Sequence, residues 1–124
     1  KIAKPVVALH LDIEKLIQLG TEERSYEAPS KFPSATRDLA IVVPVETRVA
    51  EVMNVMETAG GQLVADIDLF DIYEGGQIAE EKKNLAFHII YQADNRTLTN
   101  KEVDALHNQI IKAVEENPEW EVRK

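Results

Sequence analysis

KKNLAFHIIYQADNRTLTNKEVDALHNQII, residues 82–111, decides how this chain folds. Leu85, Phe87, Ile89 and Tyr91 alternate with Ala86, His88, Ile90 and Gln92, the period of two that marks a strand with two distinct faces. Ala93, Asp94 and Asn95 then read as a turn. Thr99 and Glu102 stand three apart at the start of a helical pattern. In such a capping box the hydroxyl accepts from an early helical N–H and the carboxylate accepts from the cap's own N–H. Val103, Leu106, Ile110 and Val114 follow at helical spacing. The stretch is therefore strand, turn, capped helix, and it holds no evident catalytic group.

Working outward, the same pattern recurs upstream. Leu39, Ile41 and Val43 alternate with Ala40 and Val42 as a first strand stopped by Pro44. Thr47 is the expected N-cap of a helix over residues 48–59, with Val49, Val52, Met53 and Met56 as its apolar stripe and Gly60-Gly61 as its stop. Residues 63–73 read as a long second strand. The capped helix, expected over 100–116, is followed after Asn117-Pro118 by a short last strand over 120–123. The order β-α-β-β-α-β is the split βαβ, or ferredoxin-like, plan of the α+β class. It predicts a four-stranded antiparallel sheet in the order 4-1-3-2 with both helices on one face. The other face is left open to bind a ligand or to pack on another domain.

Alternation also assigns the faces. Leu39, Ile41, Val43, Leu85, Phe87 and Ile89 are expected to point toward the helices, and Asp38, Ala40, Val42, Asn84, Ala86 and His88 toward the open side. The second strand changes parity. Its first half wants Leu63, Ala65 and Ile67 inward with Asp66 and Asp68 outward; its second wants Phe70 and Ile72 inward with Asp71 and Tyr73 outward. A bulge or sharp bend near Asp68–Leu69 is the expected cause. Ala40, Asp71, Tyr73, Asn84 and His88 then gather on the open face. This set suits an unpaired nucleobase: Tyr73 offers a stacking ring, Asp71 accepts from a base N–H, Asn84 donates and accepts, and Ala40 allows close approach. Weighed alone, a tyrosine at a strand end is more often packing, and Arg37-Asp38 reads as a surface ion pair.

Three motifs carry a resemblance. SKFPSATRDLAIVV (30–43), LFDIYEG (69–75) and KKNLAFHIIYQADNRTLTNKEVDALH (82–107) resemble, in order and spacing, the C-terminal ferredoxin-fold anticodon-binding domain of bacterial phenylalanyl-tRNA synthetase beta subunits. The resemblance covers about residues 26–124. It implies that Ala40, Asp71, Tyr73 and Asn84 contact the first anticodon base of phenylalanine tRNA. Serine is common in the family where Asn84 stands, so the polar role carries over and the detailed contact differs. The family carries an Arg-Asp pair at Arg37-Asp38 too, which implies a structural role first and RNA contact second for Arg37; His88, on the open face by alternation, is a candidate for either role. The resemblance implies a cytoplasmic parent enzyme with an alpha2beta2 assembly, whose alpha subunit uses ATP and Mg2+ to activate phenylalanine. No cofactor or metal is expected in this part of it. Residues 1–27 are expected to be the tail of the preceding beta-subunit domain plus a linker at 20–29, with Asp12 capping a helical turn or two. Residues 28–124 are expected to form the anticodon-binding domain.

Composition bounds these readings. The 124 residues, 44% hydrophobic, suffice for one domain with a real core. Without cysteine there is no disulfide framework or thiolate metal site, which fits a reducing compartment. No apolar run is long enough to span a bilayer, and no signal peptide is visible, so no membrane partner is expected. The chain opens on Lys1, as an excised piece of a longer protein would. A net charge of −8 is unusual for an RNA binder, and residues 28–98 hold 6 basic against 11 acidic side chains. Such a domain reads a base only if other parts of a larger enzyme hold the phosphates. His10, His88 and His107 lie on separate elements, and no nucleophile or orienting third group accompanies His88 and Asp71. Asp66, Asp68 and Asp71 lack the loop of a calcium site. The alternative function is a small-ligand-binding regulatory domain of the same fold. An acylphosphatase-like enzyme would need a phosphate loop for which no match is present.

Overall fold

A computed structural model describes residues 6–20, 30–76 and 78–123. Helix α1 (Ile13–Leu19) is capped by Asp12, whose carboxylate accepts from the Lys15 N–H at 3.2 Å, and it buries no residue. Strand β1 (Ala35–Pro44), helix α2 (Val49–Gly60), a 3-10 turn (Gly61–Leu63), strands β2 (Val64–Glu74) and β3 (Lys82–Tyr91), helix α3 (Asn100–Glu115) and strand β4 (Glu121–Arg123) follow. The strands form one antiparallel sheet in the order β2-β3-β1-β4, the expected 4-1-3-2 read from its other edge. The linker expected at 20–29 lies, apart from Gly20, outside the described residues.

One apolar layer holds the sheet to its helices. Leu39, Ile41, Val43, Leu85, Phe87 and Ile89 from the sheet meet Val52 and Met56 of α2 and Val103, Ile110 and Val114 of α3 in a single buried cluster. The driving term is removal of this area from water, about 1.5–3 kcal/mol for each fully buried aliphatic or aromatic side chain. Helix α3 begins with both halves of the expected box: the Thr99 hydroxyl accepts from the Glu102 N–H, and the Glu102 carboxylate accepts from the Thr99 N–H at 2.9 Å. Arg96 and the Thr99 donors hold the Glu102 carboxyl down at about 2. Helix α2 starts one residue later than expected. Arg48, not Thr47, is its N-cap, without a side-chain capping bond; Thr47 stands one residue earlier, in a turn that its N–H closes by donating to the Pro44 carbonyl. Trp120 likewise precedes the last strand: it packs into the core while its N–H donates to Asn117.

The parity change in β2 is real but displaced. The ladder with β3 slips twice, between Val64 and Asp66 and between Leu69 and Asp71, so Ala65 and Phe70 are the extra residues. Ala65 is therefore exposed rather than inward, and Phe70 leaves the helix side altogether. Arg37 and Asp38 do not pair with each other. Successive strand side chains point to opposite faces, so Arg37 reaches Asp104 of α3 at 3.0 Å while Asp38 meets His88 on the open side.

Beside Arg37, the buried Tyr91 and the partly buried His107 form a pair. Their rings meet edge-on at 6.2 Å, and the Tyr91 hydroxyl lies 2.9 Å from His107 Nδ1. Burial pushes the Tyr91 hydroxyl up to about 12. Burial, and then the Arg37 charge, hold His107 below its ordinary 6.5. The neutral imidazole thus accepts a hydrogen bond from the Tyr91 hydroxyl, which keeps its proton.

Two predictions follow from this packing. A Cβ at Gly60 would overlap the Val64 methyl and crowd Ile110. Gly60→Ala therefore lowers stability by about 1–3 kcal/mol in urea unfolding, and Val64→Ala in the same chain recovers part of the loss. His107 binds a proton more readily unfolded than folded. Its contribution is present above pH 6.5 and is lost as pH falls from there through the lower folded value. Wild type loses stability across that window, and His107→Asn, which keeps an acceptor but does not titrate, shows a flatter profile.

Candidate nucleic-acid interface

The register of β1, β3 and β2 arranges the open face in rows. Asp38 stands beside His88 and His88 beside Asp68; Ala40 beside Ala86 and Ala86 beside Asp71; Val42 beside Asn84 and Asn84 beside Tyr73. Strand β4 extends two rows, placing Arg123 next to Ala40 and Glu121 next to Val42. Directly opposed residues share a face, so the four side chains expected to meet a base, Ala40, Asp71, Tyr73 and Asn84, occupy two adjacent rows of three strands. Each row spans about 10 Å, two inter-strand spacings. Two alanines floor the middle row and leave its centre shallow.

The rows differ in exposure. Tyr73 is 48% exposed, with the Gly76 backbone so close to its hydroxyl that any side chain there would overlap it. Gly76 also has φ 65°, a left-handed conformation that glycine adopts without strain. Asn84 does not lie open as its place in the alternation implies. It is 9% exposed, and its Oδ1 has no hydrogen-bond partner. Val42 and Tyr73 flank it in its row, and Ala86 two residues on is buried as well. Beyond Val42, a cavity of about 320 Å3 opens between Ile78, Ala79, Lys82, Glu121 and Arg123. The larger cleft, about 820 Å3, lies between α2 and the end of α3, on the helix side and away from these rows.

The first row holds what the alternation missed. Phe70, as the bulged residue, swings onto the open face and stacks on His88, with ring centroids 3.9 Å apart and planes 12° from parallel. His88 Nδ1 lies 2.6 Å from Asp38 Oδ1; a carboxylate only accepts, so Nδ1 is the donor. Asp38, not Asp71, is thus the partner of His88. Arg37 sits on the other face with Asp104. Lys83 donates to the Val45 carbonyl at the hairpin end.

The chain is thus a split-βαβ sandwich with one face covered by α2 and α3 and, among the described residues, an opposite face free of both, carrying aromatic rings, carboxylates and a small-residue floor. Residues 30–123 match the family described as ferredoxin-fold anticodon binding domain, and the chain belongs to that family. It is similar to proteins named phenylalanine–tRNA ligase beta subunit. Identity to that of Bacillus cereus is 44% over 121 residues, 98% of this chain and 15% of the relative. For Clostridium tetani it is 38% over 118 residues, 95% and 15%. For Moorella thermoacetica it is 44% over 109 residues, 88% and 14%. The chain therefore spans about 15% of the length of the curated relatives it matches. This kinship favours the anticodon-binding reading over the regulatory-domain alternative.

A buried acceptor without a partner costs about 1–3 kcal/mol. Asn84→Leu, nearly the same shape, removes that cost, so urea unfolding is expected to show a gain of that order. A loss would mean that Oδ1 is satisfied by water in solution.

Proposed function

We propose that this chain is the anticodon-reading domain of a phenylalanine–tRNA ligase beta subunit, and that its open sheet face takes the first anticodon base of phenylalanine tRNA. The observation that carries the reading is the juxtaposition of Ala40, Asp71, Tyr73 and Asn84 in two adjacent rows of the sheet face opposite α2 and α3, in a chain of this family. The base stacks on Tyr73 over the alanine floor, and Asp71 accepts from its N–H groups. Asn84, buried beside Tyr73 in the same row, backs that ring rather than presenting its Oδ1 to the base. A face rich in acceptors and poor in cations selects donor edges of bases and repels phosphate.

The chemistry belongs elsewhere in the parent enzyme. Phenylalanine is activated with ATP and Mg2+ on the alpha subunit of an alpha2beta2 assembly in the cytoplasm. This domain orients the tRNA, and other beta-subunit domains hold its backbone. Residues 1–27 end the preceding domain and link it to residues 28–124. Exposed Val7, Leu9, Ile17 and Leu19 in and before α1, which buries nothing itself, support that division.

Asp71→Ala in the complete ligase tests the reading. A hydrogen bond to a charged group is worth about 1.5–3 kcal/mol. The kcat/KM ratio between cognate tRNA and tRNA substituted at the first anticodon position is therefore expected to narrow by about 10- to 150-fold. Equal slowing of both tRNAs would remove Asp71 from base reading.

A further inference from the structure

Phe70 and His88 are not explained by the first-base site. A phenylalanine 49% exposed on a sheet face costs solvation, yet here it is held flat against a histidine whose ring is fixed in turn by Asp38. The bulge that flips Phe70 outward thus produces an oriented, solvent-facing aromatic pair. It stands in the row next to Ala40, Ala86 and Asp71, and two rows from Tyr73. His88 and Asn84 are four residues apart on β3, about 13 Å along an extended strand. The face therefore carries two ring platforms at opposite ends of a shallow alanine floor.

We infer that the Phe70–His88 stack, braced by Asp38, is a second nucleobase platform that takes another unpaired base of the same RNA strand. The inference rests on the anticodon reading of the neighbouring rows. The occupant is a base rather than a phosphate because Asp38, Asp68 and Asp71 surround the platform with acceptors. These repel an anion and suit the N–H edges of bases. With Nδ1 committed to Asp38, Nε2 is the ring nitrogen left to meet a base edge. Stacking supplies affinity with little base preference, so this platform holds the strand while Asp71 discriminates.

The test is a cycle of protein and RNA changes in the complete ligase. Phe70→Leu keeps an apolar side chain and removes the ring; Phe70→Trp restores one. Aminoacylation kcat/KM is measured with intact phenylalanine tRNA and with transcripts abasic at the first, second or third anticodon position. Phe70→Leu is expected to slow the intact tRNA by about 5- to 150-fold, the equivalent of the 1–3 kcal/mol of one base stack. It should add no further loss to the transcript abasic at the second or third position, and Phe70→Trp should recover activity. If Phe70→Leu slows all four RNAs by one factor, or is non-additive only with the first position, there is no second platform. An equal loss in tRNA-independent ATP–pyrophosphate exchange assigns the ring pair to a protein neighbour and also overturns it. Failure of the anticodon reading itself looks different: wild type would then be indifferent to an abasic site at every position.

Discussion

One extra residue in β2 governs the open face. From Ile67, which pairs inward with Ile89, strict alternation would carry Asp71 and Tyr73 to the helix side and Ile72 to the open side. Inserting Phe70 between Leu69 and Asp71 reverses the sense of every later residue. Asp71 and Tyr73 come out beside Ala86 and Asn84, and Ile72 turns to the helix side beside Leu85, where it stays half exposed instead of entering the core. The helix side is itself half exposed at this end of the edge strand, with Ile72 50% exposed, so the slip matters chiefly for what it brings onto the open face. The inserted residue is not idle either, since it closes over His88.

The rest of the domain holds that register still. β3 is paired on both sides and buried at Leu85, Phe87, Ile89 and Tyr91, so it is the fixed reference against which β2 slips. Helix α3 is tied to it by the Tyr91–His107 contact and to β1 by Arg37–Asp104. Polar residues next to each other in sequence therefore serve different faces. Arg37 fastens a helix, while Asp38 orients a ring on the opposite side. The Arg37–Asp104 pair is largely exposed and contributes little energy of its own. Its role is to fix which way the strand end turns.

Much of this was legible in the sequence. Leu39–Val43 and Leu85–Tyr91 alternate cleanly because one face of each strand meets the helices, and Thr99–Glu102 announced a helix start through a local pairing that needs no tertiary partner. The parity break in β2 was legible as a break. Which residue bulges was not, because Phe70 satisfies either face: apolar enough for the core, aromatic enough to stack. The burial of Asn84 was hidden because alternation reports direction and not depth, and depth here depends on the larger side chains of Val42 and Tyr73 on either side. The partners of Asp38 and Arg37 were hidden because contacts 50 and 67 residues apart leave no local signal.

The central claim is that the bare sheet face, and not the helix face, meets unpaired bases. Amide chemical-shift mapping of the 124-residue chain, titrated with the anticodon stem-loop of phenylalanine tRNA at low salt and high concentration, tests it most directly. Binding is expected to be weak, as the acidic surface requires. The shifts should concentrate at Asp38–Ala40, Phe70–Tyr73 and Asn84–His88. Shifts centred on α2 and α3, or none at saturating concentration, would contradict the account.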